Sequence, residues 1–385
     1  MAVDTSPEPD PAPAVLLHLC TPGEWRSWLD AGRIAPASLD EVGFVHLSTS
    51  DQVALPAQRL FAGRTDMILL VVDPAVLETA GVEVRWEPGV PTDPASMVFP
   101  HAYGPIPVPA VRAVLPYRPG PDGFTAPEPP VPDDDGFRAA HFEPSMLRRV
   151  ADAEEPVTGG VAIRTATFPA SRVHNRLLID RAHLSDSDTL VAEAERTLTA
   201  HGLPAAALLN GPGARELATD LTAAGWEVHE LELLAGPAGR DATGAAAVVS
   251  EVALDDVREF RKSAWGTDPA GFGPDELAQL VERTGDEDRV LAVHLLAVVE
   301  DGAVVAAATL RRDGATAWVE GMDTAPEHRG RGHGRALLAR ARELAAEHGC
   351  DLVALSADVA DRPRDWYLRA GFAVVGTRFQ ARRPG

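Results

Sequence analysis

Apolar and polar positions change period several times along the chain, and the pattern is sharpest in the last third. Residues 290–299, 303–310 and 315–322 are three apolar runs, separated by Asp301-Gly302 and Asp313-Gly314. Asp-Gly between apolar runs is a hairpin signal, so an antiparallel meander is predicted. Ahead of it, 245–252 reads as a strand. Leu254, Val257, Arg261 and Ala264 then keep helical spacing, and Gly273-Pro274 opens a second helix with proline in its first turn. After the meander, Leu337, Leu338, Ala341, Leu344 and Ala345 form an apolar stripe of helical period, closed by Gly349 as a C-terminal cap. A short strand at 352–355, a helical turn at 366–370 ending in Gly371, and a strand at 372–377 complete the region.

The earlier chain is punctuated by composition. Residues 1–13 are acidic and proline-rich and read as a disordered lead. Residues 119–137 combine prolines with three consecutive aspartates and few apolar side chains, which suits an extended linker. A softer break falls at 235–244. Three folded regions follow from these breaks: 14–118, 138–240 and 245–385. In the first, strand-like runs at 67–72 and 108–115 and a helix near 50–61 predict a small α+β unit.

Composition then narrows the partners. The chain has 385 residues, 45% hydrophobic and 24% charged, which is globular and long enough for more than one core. Lys+Arg 35 against Asp+Glu 57 gives a net charge of −22, which argues against nucleic acid and against an anionic membrane as partners. Two cysteines, Cys20 and Cys350, are too far apart in sequence for a metal motif, so no metal is expected. The start lacks the basic and apolar parts of a secretory signal, and the apolar runs fall far short of the roughly 20 residues that span a bilayer. A soluble cytoplasmic protein is expected, with a homodimer left open.

One local feature reverses the bulk charge. His328-Arg-Gly-Arg-Gly-His-Gly-Arg335 lies between the meander and the apolar helix, and residues 328–385 hold 11 arginines against six acids. The first N–H groups of a helix have no partner inside it and carry the positive end of its dipole. Gly330, Gly332 and Gly334 let that backbone approach an anion, while Arg329, Arg331 and Arg335 add forked donors. No βαβ unit surrounds the loop and no Gly-Lys-Ser/Thr follows, so neither a dinucleotide fingerprint nor a P-loop fits.

Arg329-Gly-Arg-Gly332-His-Gly334, preceded by Thr324-Ala-Pro-Glu-His and followed by Tyr367-Leu-Arg-Ala-Gly-Phe372, resembles the GNAT acetyltransferase superfamily over roughly 245–380. The resemblance implies that the loop from Arg329 to Arg335, His333 included, holds the pyrophosphate of acetyl-CoA. It also implies that the strand bearing Met322, Asp323 and Thr324 runs beside the pantetheine arm, and that Tyr367 is the general acid for the leaving thiolate. Glu320, on that strand, is the candidate to take the amine proton through water, with Asp323 a weaker rival. Relatives often carry an asparagine before the tyrosine. Here the nearest polar residues are Asp358 and Asp361, so the pantetheine contact stays unassigned.

The middle segment echoes the last. Thr222-Ala-Ala-Gly225-Trp-Glu-Val228 parallels Leu368-Arg-Ala-Gly371-Phe-Ala-Val374, and the preceding helix-ending glycines, Gly202 and Gly349, stand 23 and 22 residues earlier. This resembles a tandem GNAT arrangement with a degenerate first half. Ser185-Asp-Ser-Asp188 stands where the last region has its glycines, and Leu221 where it has the tyrosine. The expected fold class is therefore α+β and mixed α/β: a small N-terminal α+β domain, then two GNAT-like units with central mixed, mostly antiparallel sheets.

In the first region, Val42-Gly-Phe-Val-His-Leu-Ser48 and Val98-Phe-Pro-His-Ala-Tyr-Gly104 resemble domain-of-unknown-function family 952, which implies an ADP-ribosyltransferase-like fold. His18, His46, Ser48, Glu87, His101 and Tyr103 are candidates to line a nucleotide or nicotinamide pocket. The leading expectation is an acetyl-CoA-dependent N-acetyltransferase acting on a small-molecule or peptide amine. The alternative makes the first domain the functional module and the GNAT part a CoA sensor; a third makes the whole chain a binding scaffold.

Overall fold

A computed structural model of the chain describes residues 13–89, 97–239, 247–266, 271–360 and 363–384. The expected lead before residue 13, the end of the softer break at 240–244, the first residues of the strand expected from Ala245, and Asp361 lie outside the described residues.

The first unit is built from short elements: β1 (Leu16–Cys20), α1 (Pro22–Ala31), β2 (Arg33–Ile34), α2 (Ala37–Val42), β3 (Val45–His46), α3 (Ala54–Phe61), β4 (Ile68–Val72), α4 (Pro74–Thr79), β5 (Glu83–Pro88), β6 (Val98–Tyr103), β7 (Ile106–Pro107) and β8 (Val111–Pro116). Thr21 opens α1 with a capping box, its hydroxyl and the Glu24 carboxylate each satisfying the other's backbone N–H. The strands form sheets β1-β4-β8 and β3-β6-β5 and a β2-β7 pair. β4 is apolar at every position because it has a core on each face: Ile68, Leu70 and Val72 enter one cluster, Leu69 and Val71 the other.

α5 (Asp135–Val150) follows, capped by the Asp134 carboxylate on the Phe137 N–H. It carries Ala139, Phe142, Met146 and Leu147 into a core shared with Leu208, Trp318 and Leu352. Then come β9 (Ala153–Val157), β10 (Gly160–Arg164), β11 (Arg176–Ile179), α6 (Ser187–Thr197), β12 (Ala206–Leu209), α7 (Ala214–Ala223) and β13 (Glu227–Pro237). The chain ends with β14 (Ser250–Glu251), α8 (Leu254–Trp265), α9 (Pro274–Glu282), α10 (Thr284–Glu287), β15 (Ala292–Glu300), β16 (Ala303–Asp313), β17 (Thr316–Thr324), α11 (His333–Glu347), β18 (Leu352–Asp358), α12 (Pro363–Arg369) and β19 (Ala373–Arg382).

The predicted meander, its flanking helices and the mixed fold class are present. The joining of the sheets differs from expectation. β9 to β19 form one eleven-stranded sheet in the order β14-β15-β16-β17-β18-β13-β19-β12-β11-β10-β9. β13 leaves the middle segment and pairs with β18 over 231–237, while β19 leaves the last segment and pairs with β12 over 379–382. Each half is completed by the other's final strand. An apolar strand can pair with either neighbour, so alternation alone does not choose between them.

The first unit docks on the turn between β16 and β17. The Trp25 indole N–H donates to Asp313 at 2.7 Å, Arg149 of α5 pairs with the same carboxylate, and the Ala315 N–H donates to the Val111 carbonyl at 2.7 Å. Gly314 is required there: its φ is +71°, and a Cβ would stand 2.3 Å from the Val111 oxygen. No helix of the described residues is long and apolar enough to cross a membrane.

Candidate active site

The site begins where two parallel strands part. β17 and β18 pair only at Thr316–Leu352, Ala317–Val353 and Trp318–Ala354, yet β17 continues to Thr324 and β18 to Asp358. Their facing edges open into a wedge toward the C-terminal ends, the direction in which a ligand enters an open α/β sheet.

The glycine-rich loop lies at the mouth of that wedge. Gly330 and Gly332 have φ of +79° and +90°, and a Cβ on either would meet nothing within 4 Å. The backbone conformation, not crowding, therefore requires glycine at both positions. Gly332 is the N-cap of α11 and supplies no side-chain acceptor, so the first N–H groups, from His333, Gly334 and Arg335, are left for an anion. By contrast, α6 opens with the Asp186 carboxylate accepting from the Thr189 N–H at 2.7 Å, which caps that terminus with a side chain. Arg329, Arg331 and Arg335 are exposed, and the Arg329 Nε donates to the Thr324 carbonyl at 3.1 Å.

Glu300, at the end of β15, braces this loop from below. Its carboxylate lies 2.8 Å from His328 Nδ1, 3.2 Å from His333 Nε2 and 3.3 Å from Arg331. The ligand atoms of Glu300, His328 and His333 all lie within 4.8 Å of one another and could hold a metal ion, with the Arg331 guanidinium as a competing cation in the same corner. Cysteine spacing, on which the expectation of no metal rested, gives no hint of this cluster.

Tyr367 stands on the opposite wall. α12 buries its ring among Trp366 and Phe372, and its hydroxyl donates to Met322 Sδ of β17 at 3.7 Å. The Met322 methyl in turn lies 4.0 Å from the Cβ position of Gly334. A phenol from α12, a thioether from β17 and the head of α11 thus converge. Asp358 does not join them: its Oδ1 accepts from the Ala360 N–H at 2.8 Å, closing its own turn.

Glu320 is placed differently from a proton acceptor. Its two oxygens accept from Arg283 and Arg311, each at 2.6 Å. Burial works to raise this carboxyl, but the two guanidiniums outweigh it and hold it far below the usual carboxylate range. Its side chain nevertheless keeps 41% of its surface exposed. The expected proton-accepting role therefore meets an obstacle that the strand position did not reveal. Asp323, its rival, accepts from the Trp265 indole N–H at 2.8 Å. Arg311 is also bound by Glu287, at 2.7 Å, and Arg261 donates to the Thr309 hydroxyl opposite Glu320. These arginines, and His174 from the first half of the sheet, were not identified from sequence. Arg311 carried one signal, a charge at an inward position of an apolar strand.

In the first unit the six candidate residues do come together. His18 Nδ1 lies 2.9 Å from the His46 carbonyl oxygen, the His46 and His101 rings are 5.1 Å apart, and Ser48 bonds Leu17 through the backbone. Tyr103 donates to Glu87 at 2.7 Å, and Phe44 stacks on His101 at 4.0 Å. Burial lowers the pKa of all three imidazoles and favours their neutral forms.

Comparison with known proteins follows this division. Residues 19–114 match the family described as protein of unknown function (DUF952), and residues 255–372 match the acetyltransferase (GNAT) family. Among solved structures, the chain is similar to a functionally unknown conserved protein from Staphylococcus epidermidis, at 14% identity and TM-score 0.49, covering 60% of this chain and 92% of that one. It is also similar to a GCN5-related N-acetyltransferase from Kribbella flavida, at 21% identity and TM-score 0.47, covering 64% and 96%. A Caulobacter crescentus protein is similar at 26% identity and TM-score 0.25, over 29% of this chain and 91% of its own. No curated protein matches. The residues that match the acetyltransferase (GNAT) family, 255–372, contain the wedge, the loop and Tyr367, and they follow the DUF952 match at 19–114.

Proposed function

We propose that the protein transfers an acetyl group from acetyl-CoA to the amine of a small molecule or peptide. The observation that carries this reading is the convergence, in one wedge, of a helix N-terminus without a side-chain cap and a tyrosine hydroxyl that donates to Met322 Sδ on the strand facing it. The N–H groups of His333, Gly334 and Arg335 take the pyrophosphate, with Arg329, Arg331 and Arg335 adding charge. The open edge of β17 at Met322, Asp323 and Thr324 lies along the pantetheine arm. The neutral amine attacks the thioester carbonyl, the C–S bond breaks, and Tyr367 donates its proton to the leaving thiolate while the amine proton passes to water. Glu320, already committed to two arginines, holds the incoming nitrogen and does not take its proton.

The middle segment is read as a degenerate partner half. Its helix terminus is capped by Asp186, and Leu221 stands at the tyrosine position. The gathered histidines of the first unit support a second reading, a nucleotide-binding module with the GNAT part as CoA sensor. Thiol release from acetyl-CoA in the presence of amines, lost in Tyr367→Phe, favours the first reading. NAD binding by the full chain without such release favours the second.

A further inference from the structure

Beneath the open face of Glu320 lies more guanidinium than carboxylate. Arg261 of α8, Arg283 after α9 and Arg311 of β16 are only 1%, 6% and 1% exposed. Arg311 is matched, with Glu287 on one side and Glu320 on the other. Arg283 shares Glu320 and stands 3.5 Å from Glu287. Arg261 has the Thr309 hydroxyl and the face of Trp265 at 5.4 Å, while its Nε and one Nη have no hydrogen-bond partner. Three buried cations thus answer to two carboxylates. Burial and the neighbouring Arg283 and Arg311 bring the Arg261 pKa down to about 10, the direction of a cation short of counter-charge.

The first half of the sheet adds to the same imbalance. Arg176 and Arg378, 4% and 1% exposed, share Glu143. His174 contributes no charge, because burial, Arg283 and Arg176 hold its pKa well below the ordinary value. A buried cation left without a partner is strongly unfavourable. An excess of this kind, set around a carboxylate that keeps 41% of its side chain exposed, is electrostatically complementary to a ligand carrying both signs.

We propose that the acyl acceptor is an amine with a carboxylate beside it, an amino acid. This rests on the acyl-transfer reading above. The nitrogen lies against the open face of Glu320, and the carboxylate lies toward Arg283 and Arg261. Glu320 and Arg283 are 2.6 Å apart, so opposite charges stand side by side as they do in an amino-acid zwitterion. Trp265, which lies under both guanidiniums and is fixed by Asp323, gives an apolar wall for the carbon skeleton. Glu320 is two residues before Met322, roughly 7 Å along the strand, which keeps the nitrogen within reach of the carbonyl near Tyr367.

The test uses the full chain with acetyl-CoA and compares the amino acids with their α-carboxamides by thiol release. A carboxamide loses its ammonium proton more readily, so a preference for the acid opposes intrinsic reactivity. The best amino acid is expected to exceed its carboxamide by at least about tenfold in kcat/KM. Arg261→Met is expected to bring that ratio to within about threefold and Arg261→Lys to keep it, with acetyl-CoA affinity by calorimetry alike in all three proteins. Carboxamides used as well as or better than the acids would overturn the acceptor assignment, as would failure of both series in a protein that still binds acetyl-CoA. Wild-type protein that does not bind acetyl-CoA would remove the acyl-transfer reading itself.

Discussion

Replacing Glu320 with glutamine keeps its shape and removes its charge, and so separates two roles for this carboxylate. A general base contributes about 10²–10⁴-fold to turnover, a loss that would fall on kcat. The geometry leads to a different expectation. With Arg283 and Arg311 each at 2.6 Å, the folded-state pKa is depressed below its unfolded value of about 4.3. The stability this provides is present above about pH 4 and lost only as pH falls through the folded value, so Glu320 does not titrate between about pH 6 and 9. Its remaining role is to hold the acceptor nitrogen. One charge-assisted contact, partly open to water, is worth about 1.4 kcal/mol, or about tenfold in acceptor KM. Glu320→Gln is therefore expected to raise acceptor KM about tenfold and to lower kcat by less than about threefold. The acid limb of kcat/KM, set by the acceptor ammonium, should persist in the variant. Thiol release followed from about pH 6 to 9 reads all three quantities. A fall in kcat of about 100-fold or more at unchanged acceptor KM would refute this reasoning and restore the proton-accepting role.

Other substitutions probe the loop and the docking of the first unit. Gly332→Ala places a side chain at φ +90° at a cost of about 1–2 kcal/mol. The cost is expected as weaker acetyl-CoA binding if the loop relaxes, or as a lower Tm if it holds; calorimetry and thermal unfolding that both match wild type would contradict it. Glu300→Gln loosens the brace on His328, Arg331 and His333, and is expected to raise KM for acetyl-CoA about three- to tenfold with kcat little changed. A kcat effect without a KM effect would count against it. Asp313→Asn leaves the fully buried Arg149 without a counter-charge, a loss of about 3–5 kcal/mol that should lower Tm by roughly 5 °C in scanning calorimetry. An unchanged Tm would show that this contact does not hold the first unit in place.

Local features were legible and long-range ones were not. The meander and α11 follow from Asp-Gly turns, helical stripes and a glycine cap, all of which act within a few residues. α5 escaped notice because it begins inside the acidic stretch at Asp135 and carries Pro144 in its interior. The exchange of β13 and β19 leaves no mark on alternation, since both strands are flanked by apolar neighbours in either arrangement. The glycine loop and Tyr367 were readable from a compact motif. The surroundings of Glu320 were not: Arg283 and Arg311 are ordinary charges in sequence, and only the pairing of β16 with β17 and the placement of α9 bring them to one carboxylate. The Glu300 brace similarly joins residues 28 and 33 positions apart.

Acetyl-CoA binding and turnover by wild type and Tyr367→Phe test the central claim most directly. Titration calorimetry should show one acetyl-CoA site, with the two proteins agreeing within about threefold in affinity. Thiol release in the presence of a carboxylate-bearing amine should fall by about 100-fold in the variant, as loss of a positioned general acid requires. No acetyl-CoA binding by wild type, or equal turnover by the two proteins, would contradict the account.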